Sequence, residues 1–99
     1  VNMDFGKLME QAQQMQQSIG QIEDQLNHTV YEGSSNGLKV EVNGKYECVS
    51  VSIPEDMMDD REMLQDILKI AFTQACEKAA SDRESRMSSA AGGFKIPGM

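Results

Sequence analysis

Ninety-nine residues, 39% hydrophobic and 25% charged, describe one globular domain and exclude both a disordered chain and a membrane-embedded one. The formal charge of −7 argues against attraction of the whole molecule to nucleic acid or anionic lipid. The charge is uneven, however: four basic residues stand against thirteen acidic ones up to Leu68, and five basic against three acidic from Lys69 onward.

The chain opens without a basic region followed by an apolar run, and no stretch approaches transmembrane length, so a reducing, cytoplasmic setting is expected. Leu8, Ala12, Met15, Ile19, Ile22 and Leu26 recur at alternating steps of four and three, the seam of an amphipathic helix predicted over 5–27. The other faces are Gln, Glu and Asp, so the stripe needs cover from the sheet, a second helix or another subunit. Gly20 inside it either marks a close crossing or is simply tolerated.

Three strands are predicted next, at 28–33, 37–43 and 46–53. Gly33-Ser34-Ser35-Asn36-Gly37 joins the first two. Asn43-Gly44 joins the second and third as a two-residue turn of type I′. Leu38, Val40 and Val42, like Val49, Val51 and Ile53, alternate with polar residues, so each strand has one buried face. A strict two-residue loop sets Lys45 and Glu47 opposite Val42 and Val40. Either the apolar face runs out near the tip, the preferred reading, or a bulge near Glu47-Cys48 turns Tyr46 inward. Cys48 and Cys76 have no metal or redox spacing and are expected as buried thiols.

Pro54 ends the third strand, and Asp59 is the expected N-cap, paired with Glu62, of a helix over 60–89. At 1.5 Å per residue that helix is about 45 Å long. A compact chain of this size has a radius of gyration of only about 13 Å. Its distal half therefore has to project or pack on a partner. The domain is expected to span 1–91, with 92–99 as a tail.

No catalytic, metal or cofactor constellation stands out, so an enzyme is not expected. His28 lacks companions at ligand spacing and is read as structural or solvent-exposed. The acidic cluster around Asp59 suits a helix start. Lys69, Lys78, Arg83, Arg86 and Lys95 occupy the projecting segment, either as a face salt-paired with Glu77, Asp82 and Glu84 or as positive patches for phosphates.

Several blocks, in this order, resemble the YbaB/EbfC family of bacterial nucleoid-associated proteins. They are Gly6-Lys7-Leu8-Met9-Glu10-Gln11-Ala12-Gln13-Gln14-Met15-Gln16, the Gly37 to Gly44 block, Asp59-Asp60-Arg61-Glu62-Met63-Leu64-Gln65-Asp66, Ala71-Phe72 with Ala75, and a tail with Gly-Gly and Pro-Gly. The resemblance implies an α+β protomer, α-β-β-β-α, with a three-stranded antiparallel sheet and two long helices in a tweezer-like homodimer. It also implies binding of double-stranded DNA, a place in the nucleoid, and a role in nucleoid organisation, gene expression or repair.

Joined to the charge pattern, this points to Lys78, Arg83 and Arg86, helped by Lys7 and Lys95, as contacts to the DNA backbone. The hairpin would then be a rigid base that sets the spacing of the arms. The alternative is a protein–protein interaction module serving a replication or recombination-repair protein, which the acidity and the eight Met favour.

Overall fold

A computed structural model describes residues 5–92; α2 runs on to Gly92, the first residue of the expected tail, and the rest of that tail, with Lys95, lies outside the described residues. The order is α1 (Phe5–Asn27), β1 (Val30–Ser35), β2 (Leu38–Asn43), β3 (Cys48–Ser52), a short 3-10 turn (Glu55–Met57) and α2 (Arg61–Gly92). This is the α-β-β-β-α arrangement, with an antiparallel sheet in the order β1-β2-β3.

Alternation along β1 and β2 puts Tyr31, Gly33, Leu38, Val40 and Val42 on one buried face, and α2 lies across it. The helix meets the sheet with a row of Ile67, Ala71, Ala75 and Ala79, four residues apart and all buried. Small residues are needed because the backbones nearly touch: a Cβ on Gly33 would lie 1.9 Å from the Ala71 carbonyl oxygen. Gln74 locks the same crossing by accepting the Ser34 N–H at 3.1 Å. On the outer face Lys39 pairs with Glu32 at 3.0 Å and Ser50 donates to Glu41 at 2.7 Å.

The two Asn-Gly dipeptides trade roles relative to the prediction. The type I′ turn is at Asn36-Gly37, where φ is 52° and 87° and Ser35 faces Leu38 across a two-residue loop. That lets β1 run on to Ser35. Asn43-Gly44 instead opens a three-residue loop: the Tyr46 N–H returns to the Asn43 carbonyl at 2.9 Å, Tyr46 takes a left-handed φ of 63°, and the Asn43 N–H meets the Glu47 carbonyl at 3.0 Å. The Asn43 side chain braces this strained loop, accepting the Lys45 and Glu47 N–H groups and donating to the Glu47 carboxylate at 2.9 Å.

Val42 then faces Cys48 while Glu41 faces Ser50, so Val49 is the extra residue of a bulge. The expected conflict dissolves, because Lys45 sits in the loop, Glu47 faces Asn43 and both are in water. Tyr46 does not turn inward; it is exposed.

The third strand departs from expectation more fully. α2 covers β1 and β2 but not β3, so Val49, Val51 and Ile53 are exposed and Cys48 is an exposed, not a buried, thiol. Cys76 is half-buried. The cap of α2 is Asp60 rather than Asp59: its carboxylate accepts the Met63 N–H at 3.1 Å. Met57 is buried in the 3-10 turn before it, and α2 begins at Arg61.

The seam of α1 is covered only toward its end. Leu26 is fully buried and Met15, Ile19 and Ile22 half-buried, whereas Leu8 and Ala12 are exposed. Gly20 has open space around it, so it marks no close crossing. The molecule is elongated as a result, 73 Å in its long dimension with a radius of gyration of 20.0 Å. At 32 residues α2 accounts for about 48 Å of that length.

Candidate nucleic-acid interface

The cations of α2 fall into two groups, one along the part of the helix that lies over the sheet and one just past Ala79. Lys69 and Lys78 are exposed, and neither has a carboxylate within ion-pair reach among the described residues. One turn beyond, Arg83 and Arg86 reach α1 and the β2–β3 loop while Asp82 meets β1, and all three are half-buried.

Arg83 donates through Nη2 to the Gly44 carbonyl at 3.0 Å and through Nη1 to Glu23 of α1 at 3.5 Å. Arg86 pairs with Asp82 one turn back at 3.1 Å and reaches Gln25 of α1 at 3.4 Å. The other ligand of Asp82 comes from the sheet: the Tyr31 hydroxyl donates to its carboxylate at 2.5 Å. That hydrogen bond, with the Arg86 guanidinium beside it, holds the Asp82 carboxyl below the usual carboxylate range. Burial, followed by the facing carboxylate, pushes the Tyr31 hydroxyl up. The pair is thus a neutral phenol donating to an anion, a strong form of hydrogen bond.

The four described cations of the five read from the sequence do not form one patch. Arg83 and Arg86 lie together at the root of α1, with Glu23, Gln25 and Gly44. Lys78 stands in water on α2, and Lys7 lies near the start of α1, about 24 Å along the helix from Glu23. Lys95 is outside the described residues. The salt-paired face is realised only in part, as Asp82 pairs while Glu77 and Glu84 make no ion pair among the described residues. His28 is exposed, its Nδ1 on the Asp24 carbonyl at 2.8 Å.

Sequence reasoning missed Gly44, Glu23 and the Tyr31–Asp82 bond, which join residues 39 to 60 positions apart. The local pattern around each residue carries no sign of the pairing.

On the uncovered side of α2, Val40, Cys48, Val51, Leu68, Lys69 and Phe72 line an apolar cleft of about 330 Å³. Val51 is 46% and Phe72 41% exposed there. Among the described residues no helix is long and apolar enough to cross a membrane.

The model of the YbaB/EbfC DNA-binding family matches residues 2–94. A nucleoid-associated protein of Clostridium novyi is 37% identical over 101 residues, covering 98% of this chain and 89% of its own. One of Rickettsia prowazekii is 33% identical over 99 residues, covering 96% and 92%. The crystal structure of an uncharacterized protein from Helicobacter pylori superposes with a TM-score of 0.74 at 26% identity, over 85% of this chain and 92% of that one.

Proposed function

This chain belongs to the YbaB/EbfC DNA-binding family, and on that basis we propose that it acts as a homodimer whose projecting helices grip the phosphate backbone of duplex DNA in the nucleoid. The observation that carries the reading is Lys78, an exposed ammonium without an ion-pair partner among the described residues, on a 32-residue helix that outreaches its sheet. Lys78 and Lys7 are the assigned phosphate contacts. Arg86 adds the N–H groups that Asp82 and Gln25 leave over, and Lys95 is a further helper. Arg83 already has its guanidinium spread over two acceptors within the chain.

Contacts of this kind position a protein on the duplex without reading bases. Nucleoid organisation, with consequences for gene expression or repair, is the role that such binding suits. The second copy has a natural seat on β3, whose outer edge has no neighbouring strand among the described residues and whose apolar side chains line the open cleft beside Phe72. An edge strand of this kind is a ready template for pairing with another chain.

The test is a fluorescence-anisotropy titration of duplex DNA at several salt concentrations, with oligomeric state read by sedimentation. Wild type should bind as a dimer, with affinity falling as salt rises. Lys78→Glu should weaken binding and reduce the slope of log K against log salt by about 0.9 for each phosphate no longer neutralised, so by about 2 in a dimer. A slope unchanged in Lys78→Glu sinks the assignment. An absence of binding at low salt, with a protein partner retained after nuclease treatment, would favour the interaction-module reading instead.

A further inference from the structure

Three elements meet at Gly44. Its N–H donates to the carbonyl of Leu26 near the end of α1 at 3.0 Å, and its own carbonyl accepts Arg83 Nη2 from α2 at 3.0 Å. The Gly44 φ is not positive, so the loop conformation does not demand glycine here. The space does: a Cβ would lie 2.1 Å from the Leu26 carbonyl oxygen and 3.1 Å from the Asn27 nitrogen. The loop tip is therefore wedged between the last turn of α1 and the Arg83 guanidinium. The same guanidinium reaches Glu23 at 3.5 Å, closing a circuit from α1 through the loop to α2 and back to α1.

The circuit shares the anchoring of α1 with few other contacts: Leu26 and Ile22 against the core and Gln25 on Arg86. Only Leu26 of α1 is fully buried, and every residue from Phe5 to Gln14 is exposed. A helix of 23 residues is about 35 Å long, so a tilt of about 10° at its root carries the far tip about 6 Å. That displacement exceeds the reach of an ion pair.

We propose that Gly44 and Arg83 form a positioning joint that sets the direction of α1, and that Arg83 supports DNA binding by holding α1 in place, not by touching phosphate. The part concerning DNA rests on the phosphate-contact reading above; the joint itself does not. An arginine suits the post because its rigid fork serves the Gly44 carbonyl and Glu23 together, which a single ammonium on a flexible stem does poorly.

The experiment measures two things on the same proteins. Spin labels on cysteines introduced by Gln11→Cys and Thr73→Cys, in a Cys48→Ser, Cys76→Ser background and diluted with unlabelled chain, report the α1–α2 distance distribution. A salt series of DNA titrations gives affinity and slope. Arg83→Lys and Gly44→Ala should each broaden the distribution. Both should also weaken binding at an unchanged slope, by roughly tenfold if the competent direction of α1 is then held one-tenth of the time.

Glu23→Gln provides a test of sign. Removing a negative charge and releasing Arg83 would tighten binding if Arg83 met phosphate, whereas loss of the clamp broadens the distribution without tightening. If circular dichroism shows that Gly44→Ala does not fold, Arg83→Lys and Glu23→Gln decide alone.

A distance distribution unchanged in Arg83→Lys and Glu23→Gln overturns the joint whatever happens with DNA. A broadened distribution with unchanged affinity, or a slope reduced in Arg83→Gln, overturns the positioning role. A wild type that does not bind DNA at all would remove the phosphate reading, and the positioning role with it, while the distances still decide the joint.

Discussion

Gly33→Ala places one methyl group where the tightest approach in the core leaves no room. The new Cβ would fall 1.9 Å from the Ala71 carbonyl oxygen and 2.7 Å from the Ala75 nitrogen. Ordinary contact begins near 3.4 Å, so α2 must retreat from β1 by about 1.5 Å. Both obstacles are backbone atoms, so no change of rotamer relieves them and no truncation of a side chain on α2 rescues the variant. A gap of 0.5 to 1 Å already forfeits about a quarter to a half of each dispersion contact. The loss would run along Ile67, Ala71, Ala75 and Ala79 against Tyr31 and Val40, and it would also pull Gln74 from the Ser34 N–H.

The expected cost is about 3 kcal/mol, at the upper end of overpacking effects. It corresponds to a fall in melting temperature of roughly 12 to 24 °C for a domain of this size. Urea unfolding at fixed protein concentration, followed by circular dichroism, reads it as a lower midpoint at unchanged m. A cost below about 1 kcal/mol would refute the claim that backbone contact between β1 and α2 sets the height of the helix above the sheet.

Four further substitutions test two contacts, the Tyr31–Asp82 bond and the cap of α2. Tyr31→Phe should cost about 1 to 2 kcal/mol near neutral pH, since the hydrogen bond is charge-assisted but only partly buried. The Asp82 carboxyl is held below its unfolded value of about 3.9, so its contribution is complete above that value and fades as pH falls through the folded one. The Tyr31 hydroxyl is raised above about 10, so its contribution is complete below that value and fades as pH rises through the folded one. Chemical denaturation of wild type and Asp82→Asn across pH should therefore give a gap that is flat from about pH 5 to 9 and closes in acid; a gap that persists in acid contradicts the pairing. Asp60→Ala should lower stability by about 1 kcal/mol, and Asp59→Ala by much less, because Asp60 holds the Met63 N–H; equal losses in thermal melts would return the cap to Asp59.

The helices and the strand order were legible because periodicity reports which face of an element is apolar. What periodicity does not report is whether that face is covered. The alternation of Val49, Val51 and Ile53 reads like a buried strand, yet α2 is seated over β1 and β2 by Gly33 and its small-residue row. The two Asn-Gly dipeptides show the same limit. Both carry the local chemistry of a tight turn, but Gly44 is required for its approach to Leu26, which is made only after folding. At the candidate interface the cations were legible as residue types. Their partners were not: Arg83 engages Gly44 and Glu23 because α2 is long enough to bring it past the loop, a tertiary fact with no local trace.

The fold also bears on how an acidic chain can serve a DNA-binding role. The acidic residues Glu55, Asp56, Asp59, Asp60, Glu62 and Asp66 gather at the start of α2, where a helix N-terminus favours negative charge. Lys78 lies seventeen residues past Arg61, about 26 Å down the axis. At physiological ionic strength the Debye length is about 8 Å, so a phosphate at Lys78 is about three screening lengths from the start of that helix. The carboxylates at the start of α2 are then largely screened from Lys78, so the sum over the chain overstates the negative field there. A net charge of −7 sets solubility and slows the first approach, but it does not measure the field at the arm. The length of α2 thus separates Lys78 from the acidic cluster at the start of its own helix.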